Sequence, residues 1–176
     1  EKMKLDELRS IEAKEELSLN YVAKDEMLSK VLLQLQNIDK IILKGGTAVN
    51  RVYIGSKRFS EDIDFDLIFS GTILEAREKT KEIVKKVSDF TIDKPRIMNN
   101  TIRYDLFYIN PLQHKDRIQL EFQLRKKTAP YEKKIVQFGF VPYETVLLDV
   151  YTIEEIIKQK IACVLSRKEG KDYFDL

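Results

Sequence analysis

Residues 62–69 alternate carboxylates with apolar side chains, which is the period of a β-strand. On a strand, Asp62, Asp64 and Asp66 point to one face and the apolar residues point to the other. Like charges on one face repel one another, and a divalent cation removes that conflict. Carboxylate oxygens are hard ligands that suit Mg²⁺. The segment therefore predicts a half-buried strand that carries a metal site, with a solvated strand face as the alternative.

A glycine pair, Gly45-Gly46, stands between a short apolar run and a helix predicted over residues 47–53. Glycines at such a turn let the backbone approach a ligand closely, and the free N–H groups at a helix start bind phosphate. The charged residues from 40 to 60 are all basic, whereas those from 61 to 66 are all acidic. A cationic cradle beside an acidic strand suits a nucleoside triphosphate with its metal ion. No GxxxxGK[ST] pattern is present, and an ordinary glycine turn is the alternative.

A third carboxylate should come from a neighbouring strand. In residues 117–124, apolar side chains alternate with polar ones, which places Glu121 on the polar face. Glu121 could complete a metal site or take a proton from an attacking hydroxyl. Asp105, on a second alternating stretch at residues 101–109, is the competing candidate. The pattern favours Glu121.

A capping box at residues 152–155 begins a helix that we predict to reach about Ser166. Helical spacing predicts a buried apolar stripe formed by Ile153, Ile157 and Val164. Lys160 falls within that stripe, and a buried ammonium needs an anionic partner. That partner could be Asp172, another carboxylate or a substrate phosphate, and a lysine that snorkels to the surface is the alternative.

The order of the predicted elements indicates an α/β (α+β) fold, in which a mixed β-sheet is flanked by helices. Residues 2–36 read as helix with a break near residues 17–20, and a capping box at residues 72–75 begins another helix. With only 6 Gly, 4 Pro and no repeats, we expect a single domain over residues 1–176. It would comprise a helical N-terminal segment, residues 1–38, and a catalytic core, residues 40–176, that is truncated at its C-terminal end.

Composition excludes several classes of protein. The 31 basic and 29 acidic residues give a net charge of +2, which excludes a uniformly basic nucleic-acid binder. The single cysteine, Cys163, excludes an internal disulfide and a zinc knuckle. Apolar runs are far shorter than the ~20 residues of a membrane helix, so we predict a cytoplasmic domain without a membrane partner.

The glycine turn, the Asp-x-Asp strand and the later lone acid resemble the signature of polymerase-β-type nucleotidyltransferases. More narrowly, residues 44–48, 58–65 and 167–176 together resemble the AbiEii/AbiGii-type toxin family of nucleotidyltransferase-like proteins. The resemblance spans roughly residues 40–176. Family members usually carry Arg where Lys171 stands, and they usually continue beyond the point where this chain stops.

The resemblance implies a nucleotidyltransferase fold and the transfer of a nucleoside monophosphate from a triphosphate to an acceptor hydroxyl, with RNA or tRNA as the suspected acceptor. It implies Mg²⁺ or Mn²⁺ bound by Asp62, Asp64 and Glu121, and a cognate antitoxin as a protein partner. These three carboxylates and Lys160 are the expected catalytic residues. The expected nucleotide-binding residues are Lys44, Gly45, Gly46, Thr47, Arg58, Ser60, Arg167 and Asp172.

Two rival functions stay open. A metal-dependent nuclease also uses aspartate with a later glutamate, but its usual Glu-x-Lys pattern is replaced here by Glu121-Phe-Gln123. A nucleotide-binding regulator without catalysis is the other, and the presence of all three carboxylates argues against such a degenerate form.

Overall fold

The alternating stretches of the sequence form the centre of one mixed β-sheet. The structure is a computed structural model that describes residues 3–55, 59–137, 146–167 and 169–176. Its helices are α1 (Leu5–Glu15), α2 (Leu19–Gln34), α3 (Gly45–Ala48, continued by a π-helical segment Val49–Tyr53), α4 (Ile73–Val84), α5 (Ile153–Arg167) and α6 (Gly170–Phe174). Its strands are β1 (Ile41–Lys44), β2 (Asp62–Ile68), β3 (Thr91–Ile92), β4 (Arg96–Met98), β5 (Thr101–Ile109), β6 (Lys115–Arg125), β7 (Tyr131–Val136) and β8 (Val146–Tyr151).

Among the described residues the strands follow the order β3-β5-β6-β2-β1-β8-β7, and β4 pairs with β5. Strand β2 lies parallel to β6 and antiparallel to β1. This register places Asp64 beside Glu121 on one side and beside Lys44 on the other. The predicted mixed sheet with flanking helices is confirmed, and the strand over residues 62–69 lies at its middle.

The two faces of β2 have opposite environments. Ile63, Phe65 and Leu67 are fully buried in the main hydrophobic core, to which α2 and α4 also contribute. The opposite face carries the carboxylates. Alternation along one strand therefore separates a core from a polar site.

The N-terminal helices follow the predicted pattern, with a break between Glu15 and Leu19. The capping box at Thr72 is also confirmed, because Glu75 N–H donates to the Thr72 hydroxyl while the Glu75 carboxylate accepts from Thr72 N–H. Strands β3 and β4 are too short for a periodic signal. Strand β7 escapes prediction because it is an edge strand with three adjacent charges in place of alternation.

The predicted buried stripe of α5 is wrong. Ile153 and Ile157 are 37% and 41% exposed, whereas Ile156 and Lys160 are 2% and 6% exposed. The helix carries two apolar stripes. The one that contains Ile156 and Lys160 is buried, with Ile156 in the main hydrophobic core. The prediction that Lys160 is buried is confirmed, although on a different face from the one expected.

A buried ion pair fastens the π-helical segment to α2. Arg51 is 1% exposed, and its guanidinium donates to the Asp25 carboxylate over 2.6 Å and to the Ser29 hydroxyl over 2.8 Å. Burial lowers the pKa of Arg51, and the charge of Asp25 opposes that effect. The contact holds in place the helical segment that follows the glycine turn.

We expect Arg51→Met to lower the free energy of unfolding by about 3 kcal/mol, because Asp25 stays buried but loses the guanidinium that neutralises it. Urea unfolding followed by circular dichroism measures the change. The control is Lys85→Met, which removes an ion pair with Glu82 whose side chains are 60% and 68% exposed. That variant should change stability by less than about 0.5 kcal/mol, and equal effects of the two substitutions would contradict the prediction.

Candidate active site

The polar face of β2 forms the floor of a cavity of about 840 Å³. The glycine turn forms one wall, and strands β5 and β6 contribute another. Residues of α5 and the start of α6 also line it, among them Lys160, Arg167 and Lys171. The cavity thus brings together most of the sequence-predicted groups from separate parts of the chain, whereas Thr47 and Asp172 are absent from its lining.

Asp62 and Asp64 are the carboxylates of this cavity that have no ion pair within the described part of the chain. The other carboxylates that line it are paired with a cation, as follows: Glu61 with Lys24, Glu121 with Arg103, and Glu169 with Lys171. Burial, followed by the charge of Glu121, raises the pKa of Asp64 to about 6. Burial also raises the pKa of Asp62, while Lys171 opposes the shift. Two adjacent carboxylates that have no ion pair among the described residues favour the binding of a cation.

Gly45 brings the backbone against this pair of carboxylates. Its φ is +69°, and a Cβ atom placed on it would lie 2.3 Å from the Asp64 carboxylate oxygen Oδ2. A side chain is therefore excluded both by backbone conformation and by contact with Asp64. Gly45 and Gly46 both line the cavity, so the turn presents backbone to the space above Asp64.

Thr47 has a different environment from the one expected of a phosphate ligand. It is fully buried, and its hydroxyl donates to the Asp62 carbonyl oxygen over 2.5 Å and lies 2.9 Å from the Ser60 hydroxyl. Thr47 thereby ties the start of α3 to the start of β2, while Ser60 itself lines the cavity. Arg58, which was also predicted to bind nucleotide, lies outside the described residues.

Lys44 lines the cavity, but its ammonium is held by protein oxygens. It donates to Gln123 and lies 2.6 Å from the carboxylate oxygen Oδ1 of Asp66. Asp66 also accepts from the Tyr151 hydroxyl over 2.7 Å and is 1% exposed. The third aspartate of the alternating strand therefore shares a face with Asp62 and Asp64 but serves as the counter-charge of both Lys44 and Arg125.

The two candidates for a third carboxylate have different positions. Glu121 lines the cavity beside Asp64. Asp105 is absent from the cavity lining and pairs with Arg96 over 2.5 Å and with Arg117 over 3.4 Å. The geometry thus favours Glu121, as the alternation did.

Lys160 has two carboxylates as partners. Its Nζ lies 2.9 Å from Asp172 Oδ1 and 2.7 Å from Asp175 Oδ2. Arg167 donates to Asp172 over 2.7 Å, and hydrogen bonds from Arg167 are the main reason that the pKa of Asp172 falls to about 2. The anion left open in the sequence is therefore supplied by α6, and the cluster joins α6 to α5 at the side of the cavity.

The donor set of Asp62 and Asp64 fits a hard divalent cation in chemistry and in charge. Within the described ranges, however, no three His, Cys, Asp or Glu side chains are already gathered around one point. The third candidate ligand, Glu121, has its carboxylate bonded to Arg103 over 2.6 Å. A metal ion at this site would therefore have two carboxylates without an ion pair among the described residues, Asp62 and Asp64, and a third, Glu121, that is already paired with Arg103.

Sequence reasoning missed Arg103 and Asp175. Arg103 shares the polar face of β5 with Asp105, so its alternation was visible, but its pairing with Glu121 depends on the register between β5 and β6. Asp175 follows α6 closely, and only the tertiary position of that short helix brings it to Lys160.

A glycine turn against paired carboxylates, with a further acid on the parallel neighbour strand, defines a nucleotidyltransferase-like domain. The family model described as "Nucleotidyl transferase AbiEii toxin, Type IV TA system" matches residues 26–176, so the chain belongs to this family. Membership confirms the resemblance indicated by the motifs, and the description of the family is that of a nucleotidyltransferase toxin.

Solved structures share the fold. JHP933 from Helicobacter pylori superposes with a TM-score of 0.65 at 21% identity, over 91% of this chain and 66% of that one. MenT4, the nucleotidyltransferase toxin Rv2826c from Mycobacterium tuberculosis H37Rv, superposes with a TM-score of 0.68 at 17% identity, over 99% of this chain and 63% of that one. An antigenic nucleotidyltransferase-like protein from Paracoccidioides brasiliensis superposes with a TM-score of 0.58 at 20% identity, over 86% of this chain and 73% of that one.

The chain spans slightly less than two thirds of the length of the first two structures. A comparison with curated protein sequences gives no match. No described helix has the length and apolar character needed to cross a membrane.

Proposed function

We propose that the chain is the nucleotidyltransferase domain of a toxin from a toxin–antitoxin or phage-defence system. It would use Mg²⁺ or Mn²⁺ and transfer a nucleoside monophosphate from a triphosphate to an acceptor hydroxyl of RNA, with tRNA as the first acceptor to test. The observation that carries this proposal is the pair Asp62 and Asp64, which has no ion pair among the described residues and lies beside the glycine turn in one cavity. Membership of the AbiEii toxin family supports it.

Each group of the cavity has a role in that reaction. Asp62 and Asp64 would hold the divalent cation, with Glu121 as the third ligand, and the bound ion would neutralise charge on the triphosphate. The N–H groups of Gly45 and Gly46 would orient the phosphates. The acceptor oxygen bonds to the α-phosphorus, the bond to the β-phosphate oxygen breaks, and pyrophosphate leaves. The acceptor proton passes to a carboxylate of this set.

Lys160 and Arg167 would act as a cationic wall beside the phosphates. Both are bonded to Asp172, so their charge is partly compensated and their side chains are held in place. We propose that the wall orients the triphosphate more than it attracts it. Lys171 also lines the cavity, and its charge opposes the rise in the pKa of Asp62 that burial causes, so a further cation acts on the carboxylates.

The Type IV toxin–antitoxin description of the family supports an antitoxin as a partner and, with it, a cytoplasmic location. A nucleotide-binding regulator without catalysis is the second candidate. The specific observation in its favour is that Glu121, the third acid that catalysis would need, is already engaged by Arg103.

The test incubates the chain with Mg²⁺, total tRNA and each of the four ribonucleoside triphosphates labelled at the α-phosphate. We expect label to move onto RNA with one or more of the four, and pyrophosphate to be released in equal amount. A rise in melting temperature with Mg²⁺ and triphosphate but no pyrophosphate would favour the regulator. Fragmented RNA without bound label would indicate the nuclease.

A further inference from the structure

The third carboxylate of the cavity is held by a cation from the protein itself. The Nε and Nη2 atoms of Arg103 lie 2.6 Å and 2.5 Å from the Oε1 atom of Glu121. Both contacts fall on the same carboxylate oxygen, and within the described residues the other oxygen, Oε2, has no hydrogen bond or ion pair. The side chains of Arg103 and Glu121 are 27% and 23% exposed, and both line the cavity.

The register of the sheet turns this pair into part of a row. Arg103 of β5 lies opposite Glu121 of β6, Glu121 lies beside Asp64 of β2, and Asp64 lies beside Lys44 of β1. The row reads cation, carboxylate, carboxylate, cation across four strands. Lys44 is ion-paired with Asp66 and only its longer-range charge acts on Asp64, whereas Arg103 is in direct contact with Glu121.

Arg103 engages the third candidate ligand. Glu121 is bonded to Arg103 of β5, which pairs with β6 on the side opposite β2, and the charge of Glu121 raises the pKa of Asp64. The pair is partly exposed, and partly exposed ion pairs contribute little to stability. A doubly charged ion between Glu121 and Asp64 can therefore displace the guanidinium.

We propose that Arg103 is a displaceable counter-cation of the metal site. It holds Glu121 in an ion pair until a divalent cation arrives, and so sets how tightly that cation binds. Arg103 is a positioning residue in this account, because it acts through Glu121. The inference rests on the proposed function in one respect, the assignment of Glu121 as a ligand of the metal.

The test is a titration with Mn²⁺ alone, without triphosphate or acceptor, followed by calorimetry and by the electron paramagnetic resonance signal of free Mn²⁺. We expect Arg103→Gln to bind Mn²⁺ about fivefold more tightly than the wild type, since the competing cation is gone. Arg103→Lys keeps the charge and should restore most of the wild-type affinity. Unchanged or weaker binding by Arg103→Gln would overturn the proposal.

The matched control is Arg117→Gln. Arg117 lines the same cavity but pairs with Asp105 over 3.4 Å, so this variant removes the same charge without freeing Glu121. It should bind Mn²⁺ within about twofold of the wild type. Equal tightening in both variants would mean a general effect of charge and would overturn the proposal.

A second comparison isolates Glu121. In a Glu121→Gln background, Arg103→Gln should bring no further gain in Mn²⁺ affinity, because the carboxylate in competition is absent; a gain that persists would overturn the proposal. A failure to detect nucleotidyl transfer would not change the interpretation of this titration, because no substrate is present. Absence of Mn²⁺ binding in the wild type and in all variants would overturn the metal site and Arg103's role together.

Discussion

Asp64→Asn is expected to lower nucleotidyl transfer by at least about 10³-fold while making the metal-free chain more stable. The carboxylate lies between Asp62 and Glu121 and has no ion pair among the described residues, so amidation removes a cation ligand without breaking a salt bridge. Burial raises the pKa of Asp64 to about 6, which means that folding disfavours its ionised form. At neutral pH this penalty is on the order of 2–3 kcal/mol, and the amide does not incur it.

The pH dependence of stability checks the sign of this effect. The folded-state pKa of Asp64 is raised from its ordinary value of 3.8, so the protonated carboxyl is compatible with folding at low pH. Stability is then lost as the pH rises towards about 6. The melting temperatures of wild type and Asp64→Asn in EDTA should coincide below about pH 4 and differ by a constant amount above about pH 7.

Asp105→Asn is the control for this substitution. It amidates the carboxylate that competed with Glu121 in the sequence, but Asp105 faces Arg96 and Arg117 and is absent from the cavity lining. Transfer should stay within a few-fold of the wild type. Activity that survives Asp64→Asn, or that is lost equally in both variants, would show that the site is misassigned.

Local sequence patterns were sufficient to predict the carboxylates on the floor of the cavity. Alternation depends on neighbouring residues alone, so it was sufficient to set Asp62, Asp64 and Glu121 on polar strand faces. The glycine pair likewise marked the end of β1, although α3 begins at Gly45 itself, with a φ of +69°, and not after the pair as predicted. These are features that a chain specifies within a few residues of each other.

Local patterns did not determine the partners of these groups. The pairing of Arg103 with Glu121 depends on strand register. Asp172 was one of the candidate partners of Lys160 in the sequence, but the position of α6 selects it and adds Asp175. The buried stripe of α5 was mistaken because two apolar stripes compete on that helix, and only the sheet decides between them. Strand alternation likewise could not separate Asp66, which neutralises Lys44, from the two aspartates that stay uncompensated.

Gly45→Ala is expected to lower transfer by about 10²-fold and to destabilise the fold by about 1–3 kcal/mol. An alanine at φ +69° is strained by its own backbone conformation. Its Cβ would also lie 2.3 Å from the Asp64 oxygen Oδ2, so either the turn or the carboxylate must move. Both belong to the proposed site, and the displacement therefore acts on cation binding and on phosphate binding together.

Gly170→Ala is the matched control, since a Cβ atom at Gly170 meets no heavy atom within 4 Å. Gly170 begins α6 and lies two residues from Asp172. The control therefore also tests whether the start of α6 tolerates a methyl group. Transfer rates, Mn²⁺ affinity and urea unfolding should be measured on both variants. Because the clash is with Asp64, Gly45→Ala should weaken Mn²⁺ binding, whereas Gly170→Ala should leave it unchanged. Loss of transfer with unaltered Mn²⁺ affinity would separate the glycine turn from the metal site and contradict their coupling.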